Sequence, residues 1–210
     1  MPQFAIRNND KVGLILFTDD VEKYIPPKKG RKHVLRVIRE ILFYEPRSHG
    51  TDLDSALLFL NRVTAHRAIT VVISDFLGQS MPTRANIAAH LRRNVVLSQT
   101  LGQASAAALK QTNRKHDVIA IQIVDRFELE LPGLGYLLLR DAETGEMVEV
   151  NTGDARKRKA FAERQDKAQR ELRKLFLSAK IDSIQLRTGA PYAGALGRFF
   201  ETRERRMRHG

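Results

Sequence analysis

A mostly parallel β-sheet with helices on both faces, an α/β fold, is the class that this sequence predicts. Three observations lead to it. Short apolar runs such as Val12–Phe17, Ile69–Ile73 and Val118–Val124 are nearly continuous rather than alternating, the pattern of strands buried on both faces. Segments with helical spacing separate those runs, which favours right-handed crossovers and parallel pairing. No internal repeat or low-complexity linker interrupts the 210 residues, so a single domain over residues 1–210 is expected.

The elements run in order along the chain. Val12-Gly13-Leu14-Ile15-Leu16-Phe17 reads as a buried strand, and Asp19-Asp20 turns the chain. Val21 to Ile25 alternates as an edge strand that Pro26-Pro27 should stop. Val34, Val37, Ile38, Ile41 and Leu42 repeat at helical spacing over His33 to Tyr44, with Pro46 just beyond. Leu53, Ala56, Leu57, Leu60 and Val63 predict a second helix, opened by Thr51 or Asp52 as N-cap. Ile69 to Ile73 is the strongest strand signal, ending abruptly at Ser74-Asp75. Pro82 to Gln111, rich in Ala, Leu and Arg, reads as helix with a break near Val95–Gly102. Val118 to Val124 is a strand, and Tyr136–Leu139 with Met147–Val150 flank an Asp141-Ala142-Glu143-Thr144-Gly145 turn as a β-hairpin. A long helix between Asp154 and Lys180, a strand at Ile181–Leu186 and a basic helical C-terminus over about residues 191–210 complete the chain. Val12–Phe17, Ile69–Ile73, Val118–Val124 and Ile181–Leu186 are expected as the inner strands.

Composition removes several functions. With no cysteine, disulfide scaffolds, thiolate zinc sites, iron–sulfur clusters and cysteine nucleophiles are excluded. No apolar run approaches the roughly 20 residues that span a bilayer, and Met1-Pro2-Gln3-Phe4 has no signal-peptide character. A soluble, cytoplasmic protein with no membrane partner is expected.

The net charge is +12, and it is unevenly spread. Residues 1–150 hold 20 basic and 17 acidic side chains, whereas residues 151–210 hold 16 and 7. Arg156-Lys157-Arg158-Lys159 and the terminal Arg203, Arg205, Arg206 and Arg208 dominate the excess. One reading is an electrostatic footprint for nucleic acid or another polyanion. The plainer reading, a solvated helix face and a frayed tail, is preferred because no aromatic or helix-turn-helix signature accompanies the charge.

Catalytic motifs are missing. The sequence has no phosphate-binding loop and no dinucleotide-binding glycine pattern. Gly78-Gln79-Ser80-Met81-Pro82 has proline where a nucleophile elbow needs glycine. None of His33, His49, His66, His90, His116 and His209 is four residues from another, the spacing that sets two imidazoles on one helix face for zinc. Asp52 and Asp54 are explained by the dipole of the helix they open. No catalytic residue is assigned, and an enzyme is not expected.

In a parallel α/β sheet, ligands bind beyond the carboxyl ends of the strands. Asp75 follows the most hydrophobic strand, and Thr51 precedes a helix in Ser48-His49-Gly50-Thr51-Asp52-Leu53-Asp54. A hydroxyl and a carboxylate converging there would suit a hard cation such as Mg²⁺. Each residue also has an ordinary reading, Thr51 as an N-cap and Asp75 as the cap of the next segment.

Asn9-Asp10-Lys11-Val12-Gly13-Leu14-Ile15-Leu16-Phe17, Ile25-Pro26-Pro27-Lys28-Lys29-Gly30, Gly50-Thr51-Asp52-Leu53 and Val72-Ile73-Ser74-Asp75-Phe76 resemble a bacterial von Willebrand factor A-like family. That family is catalogued as a domain of unknown function and is often encoded beside MoxR-type AAA+ ATPases. Arg114-Lys115-His116-Asp117-Val118, Glu130-Leu131-Pro132-Gly133 and Asp141-Ala142-Glu143-Thr144-Gly145-Glu146 extend the resemblance, in order, from residue 5 to about residue 200. It is weaker from Thr83 to Thr112. The resemblance implies a Rossmann-like fold and a metal-ion-dependent adhesion site for Mg²⁺ or Mn²⁺. Such a site takes an Asp-x-Ser-x-Ser loop after the first strand, a Thr from a second loop and an Asp from a third. Thr51 and Asp75 match the second and third elements, while no Asp-x-Ser-x-Ser occurs.

Ala5 to Asp10 resembles the end of the family's first helix, so the usual first strand and helix are expected to be lacking. A truncated chain, a cloning boundary or a misplaced start codon would each give this. The incomplete site should bind metal weakly or not at all, and Mg²⁺ or Mn²⁺ should bind only if the missing motif is restored. Losing a central strand would expose sheet edges and favour closure, dimerisation or pairing with another segment. The resemblance implies a non-enzymatic protein–protein interaction module whose partner is an AAA+ ATPase that assembles or remodels complexes. Nucleic-acid binding through residues 151–210 is the rival, and a hydrolase at the strand ends ranks last.

Overall fold

The computed structural model describes residues 10–48, 50–76, 103–140 and 147–209. The chain divides into two compact units, one of residues 1–65 and 142–145 and the other of residues 66–141 and 146–210.

In the first unit, β1 (Val12–Phe17) and β2 (Val21–Lys28) form an antiparallel hairpin. After it come α1 (Arg31–Phe43) and α2 (Leu53–Val63). Two expectations from the sequence are corrected here. Val12–Phe17 is not an inner strand of a parallel sheet: among the described residues it pairs with β2 alone. A turn only a few residues long, closed by the Thr18 N–H donating to the Asp20 carbonyl at 2.9 Å, joins neighbours antiparallel, whereas a parallel pair needs a long crossover. Nor do Pro26-Pro27 end β2, because the register shifts there: Val12 faces Lys28 while Leu14 faces Ile25. The bulge takes up two residues that lack a ladder donor. A side chain at Gly13 would press on the Ile25 carbonyl at 3.0 Å and on the Pro27 ring at 3.1 Å. Ile25, Val34, Val37, Leu53, Ala56 and Leu57 are the unit's buried apolar residues.

The second unit is built on a parallel sheet of β3 (Ile69–Ser74), β4 (Asp117–Val124) and β7 (Asp182–Arg187), in the order β3-β4-β7. The expectation of a parallel α/β sheet holds for these three strands. Among the described residues only β4 is flanked on both sides, so β3 and β7, expected as inner strands, have one neighbour each. Val118 to Gln122 are buried without interruption, so both faces of β4 are covered. Around the sheet lie α3 (Gln103–Lys115), α4 (Arg126–Leu129), α5 (Ala155–Ser178) and α6 (Ala193–His209). A separate antiparallel hairpin joins β5 (Tyr136–Arg140) to β6 (Met147–Asn151). Leu109, Val118, Ile119, Ala120, Val124 and Phe176 form the core, each no more than 2% exposed. Asp154 caps α5, its carboxylate accepting from the Arg156 and Lys157 N–H groups. The readings at residues 5–9, 77–102 and 141–146, including the Gly78–Pro82 segment and the hairpin turn, lie outside the described residues.

Candidate functional site

The carboxyl edge of the parallel sheet begins with a polar rung. Ser74, Gln122 and Gln185 stand side by side across β3, β4 and β7. Gln185 donates to Gln122 Oε1 at 3.1 Å and to Gln169 Oε1 of α5 at 2.9 Å. Gln122, only 6% exposed, uses its own amide to hold the Asp75 carbonyl at 3.2 Å.

Phe76 then fixes the direction in which Asp75 leaves the strand. Its φ of 54° lies in the left-handed region, costing a non-glycine residue about 1 kcal/mol. Burial against Phe176, edge to face at 5.2 Å, offsets this cost. The Phe76 N–H donates to Ser74 Oγ at 3.0 Å, and Ser74 Oγ donates to Asp75 Oδ1 at 3.3 Å. The backbone strain therefore falls on the residue beside the carboxylate singled out from sequence.

Two further carboxylates that sequence reasoning did not assign to the site stand at this edge. Asp125 caps α4, accepting from the Phe127 N–H at 2.9 Å, while Glu128 Oε2 accepts from the Asp125 N–H at 3.1 Å. The signal was present as Asp-x-x-Glu, the spacing of a capping box. Burial raises the Glu128 carboxyl above its ordinary range, and the Asp75 and Asp125 charges push it the same way against the Asp125 N–H. Asp125 is held low, chiefly by the Thr188 hydroxyl from the end of β7. These two acids hold the local fold together.

Thr51 lies in the other unit, on a loop pinned to the β1–β2 turn. The Asp52 N–H donates to the Thr18 carbonyl at 2.6 Å. The Ser48 hydroxyl donates to the Asp19 carboxylate, and a methyl group at Gly50 would overlap that same carboxylate. Glu22 accepts from the Thr18 hydroxyl at 2.6 Å and from the Arg47 and Ser48 N–H groups, which keeps it ionised below the usual carboxylate range. The cap of α2 is Asp52, whose carboxylate accepts from the Ser55 N–H at 3.0 Å. Thr51 therefore does not serve as the cap.

Thr51 and Asp75 are thus each located within their own unit, at a helix entrance and at a strand end. Among the described residues no three of His, Cys, Asp and Glu are grouped so as to hold a metal ion. One hydroxyl and one carboxylate do not make up the oxygen shell that Mg²⁺ requires.

The sequence pattern that defines DUF58, a family of proteins of unknown function, matches residues 3–95 and 84–171. The chain belongs to the DUF58 family. An uncharacterized protein of Mycobacterium avium is 28% identical over 86% of this chain and 94% of its own length. An uncharacterized protein of Mycobacterium tuberculosis is 26% identical over 93% of this chain, which spans 55% of that relative. Among solved structures, the conserved hypothetical protein BatB of Bacteroides thetaiotaomicron is similar at a TM-score of 0.49, with 15% identity over 96% of this chain and 85% of BatB. An aerotolerance-related membrane protein of Bacteroides fragilis is similar at 0.47, with 16% identity over 88% of this chain and 77% of that one.

In this DUF58 chain the two basic clusters have different fates. Arg203, 7% exposed, pairs with both Asp117 and Asp182, at the starts of β4 and β7. Arg206 joins Asp182 at 3.1 Å, and Arg208 pairs with Glu204 one turn back. The expectation of a frayed tail is corrected: α6 is clamped to the amino edge of the sheet. Arg158 is also structural, donating to the Thr152 and Gly153 carbonyls at 2.6 and 3.0 Å. Arg156, Lys157 and Lys159 remain exposed on α5.

Proposed function

We propose that the chain is a non-enzymatic protein–protein interaction module, a single von Willebrand A-like domain of Rossmann-like type. Its partner would be a MoxR-type AAA+ ATPase that assembles or remodels complexes in the cytoplasm. The observation that carries this reading is Asp75, presented beyond the carboxyl end of a parallel strand by a buried, left-handed Phe76. Loops at that edge are where α/β sheets take their ligands. The resemblance in Gly50-Thr51-Asp52-Leu53 and Val72-Ile73-Ser74-Asp75-Phe76 supports the reading. Calorimetric titration of the chain into a purified MoxR-type ATPase, with and without nucleotide, tests it. Saturable binding weakened at least about ten-fold (about 1.4 kcal/mol) by Asp75→Ala is expected; heat that is absent, or unchanged by the variant, rejects the reading.

Polyanion binding through residues 151–210 is the second reading, and one observation favours it. Along α5, Arg156, Lys157, Lys159, Arg164, Lys167, Arg170, Arg173 and Lys174 are all exposed. Three of them, Lys159, Lys167 and Arg170, face acids one turn away. Anisotropy with duplex DNA at physiological salt separates the two readings: charge alone gives sequence-independent binding that falls steeply with salt.

A further inference from the structure

We propose that the outer face of α1 binds the surface of an anionic lipid bilayer. From Lys28 to Phe43 the chain carries Lys28, Lys29, Arg31, Lys32, Arg36 and Arg39 against the single acid Glu40. Glu40 is drawn to Lys23 at 3.5 Å. Val34 and Val37 are buried, and the His33 imidazole meets the Val12 carbonyl at 2.8 Å, so one side of the helix is committed to β1. The opposite side is not polar, as an ordinary surface helix would be. Leu35 is 53% exposed, Leu42 69% and Phe43 77%.

Residues seven apart return to the same face, so Leu35 and Leu42 form a ridge about 10 Å long. Arg31, Lys32, Arg36 and Arg39 are exposed on the same arc. Apolar and cationic side chains mixed on one convex face fit a plane. The leucines enter the acyl boundary while the long basic stems reach back to phosphates. An apolar groove of a protein partner would take Arg31, Lys32, Arg36 and Arg39 out of water without counter-charges. Phosphate contacts to nucleic acid would leave Leu35, Leu42 and Phe43 in water. An anionic membrane satisfies both sets of side chains. No helix among the described residues is long and apolar enough to cross a membrane, and the absence of a spanning segment is what led the sequence to suggest no membrane partner. The proposal concerns attachment to the surface.

The test is co-sedimentation of the full 210-residue chain with two kinds of vesicle, pure phosphatidylcholine and phosphatidylcholine containing about one quarter phosphatidylglycerol. Binding to the anionic vesicles should exceed that to the neutral ones about ten-fold or more and weaken with added salt. Each of Arg31→Ser and Arg39→Ser should lower the partition coefficient about five-fold. Leu35→Glu with Leu42→Glu should abolish binding, and circular dichroism should stay unchanged because both side chains are exposed. Any of four results would overturn the proposal: no vesicle binding, equal binding to neutral vesicles, full binding by the double glutamate variant, or a double variant that only converts a dimer into a monomer. Tighter retention on polyglutamate than on vesicles would reassign the face to an acidic protein.

Discussion

Arg203, in the last turns of α6, forms an ion pair with Asp117 at the first residue of β4, eighty-six positions earlier in the chain. The same guanidinium reaches Asp182 at the first residue of β7, so one side chain ties a helix to two neighbouring strands. Removing one partner of a buried ion pair leaves the others unpaired and costs about 3–5 kcal/mol. Here Asp182 keeps Arg206 and the two aspartates keep some solvent, at 21% and 30% exposure, so Arg203→Ala should cost about 1–3 kcal/mol, mostly through Asp117. Urea unfolding measures it, and a loss below about 0.5 kcal/mol, typical of surface pairs, would contradict the clamp.

Gly50 lies against the exposed Asp19 carboxylate, which a methyl group there would have to displace. Gly50→Ala should therefore turn the exposed Asp19 side chain aside and break its bond with the Ser48 hydroxyl, a loss of about 1 kcal/mol or less. Asp19→Ala opens the space and removes the same bond, so Gly50→Ala should cost little more in that background. A double-mutant cycle reads the coupling. Additive effects would show that the contact does not limit Gly50.

His116 is fully buried, and neither ring nitrogen has a hydrogen-bond partner among the described residues. Burial, assisted by the Lys115 charge, lowers its pKa below the ordinary 6.5. The unfolded chain then takes up the proton more readily than the folded one, so stability rises with pH in this window. The contribution should be complete above about pH 6.5 and decline as the pH falls toward the lowered value. His116→Leu should flatten that decline while leaving neutral stability unchanged or higher, because two unsatisfied polar atoms are removed. Denaturant melts at a series of pH values decide it.

For metal, the Thr51 hydroxyl in one unit and the Asp75 carboxylate in the other each offer a single oxygen ligand where a hard cation wants about six. Millimolar Mg²⁺ or Mn²⁺ should leave the melting temperature unchanged, in the native chain and in Asp75→Ala alike. Extending the chain with an Asp-x-Ser-x-Ser strand and loop should create binding that Asp75→Ala removes. Calorimetry on both forms reads it, and tight binding by the unextended chain would require ligands other than these.

The capping box at Asp125 and Glu128 lay in plain sight as a four-residue spacing, yet its meaning was local and did not point to the edge of a sheet. His116 looked like one of six unremarkable histidines, because burial is a property of what packs around a residue. The basic tail misled for the same reason: charge can be counted along a chain, but the acids that neutralise Arg203 arrive from distant strand ends.

The sequence by itself determined most of the described strands and helices, though not α4, and the parallel character of β3, β4 and β7. It also located Asp75 at a strand end, since period, caps and apolar runs act over a few residues. Tertiary structure decided that Val12–Phe17 joins a hairpin and that Pro26-Pro27 are absorbed by a bulge. It also decided that Asp52 rather than Thr51 caps α2, and that Leu35 and Leu42 are left exposed by the fold. Those outcomes depend on which surfaces meet, and helical spacing marks an apolar face without saying what covers it.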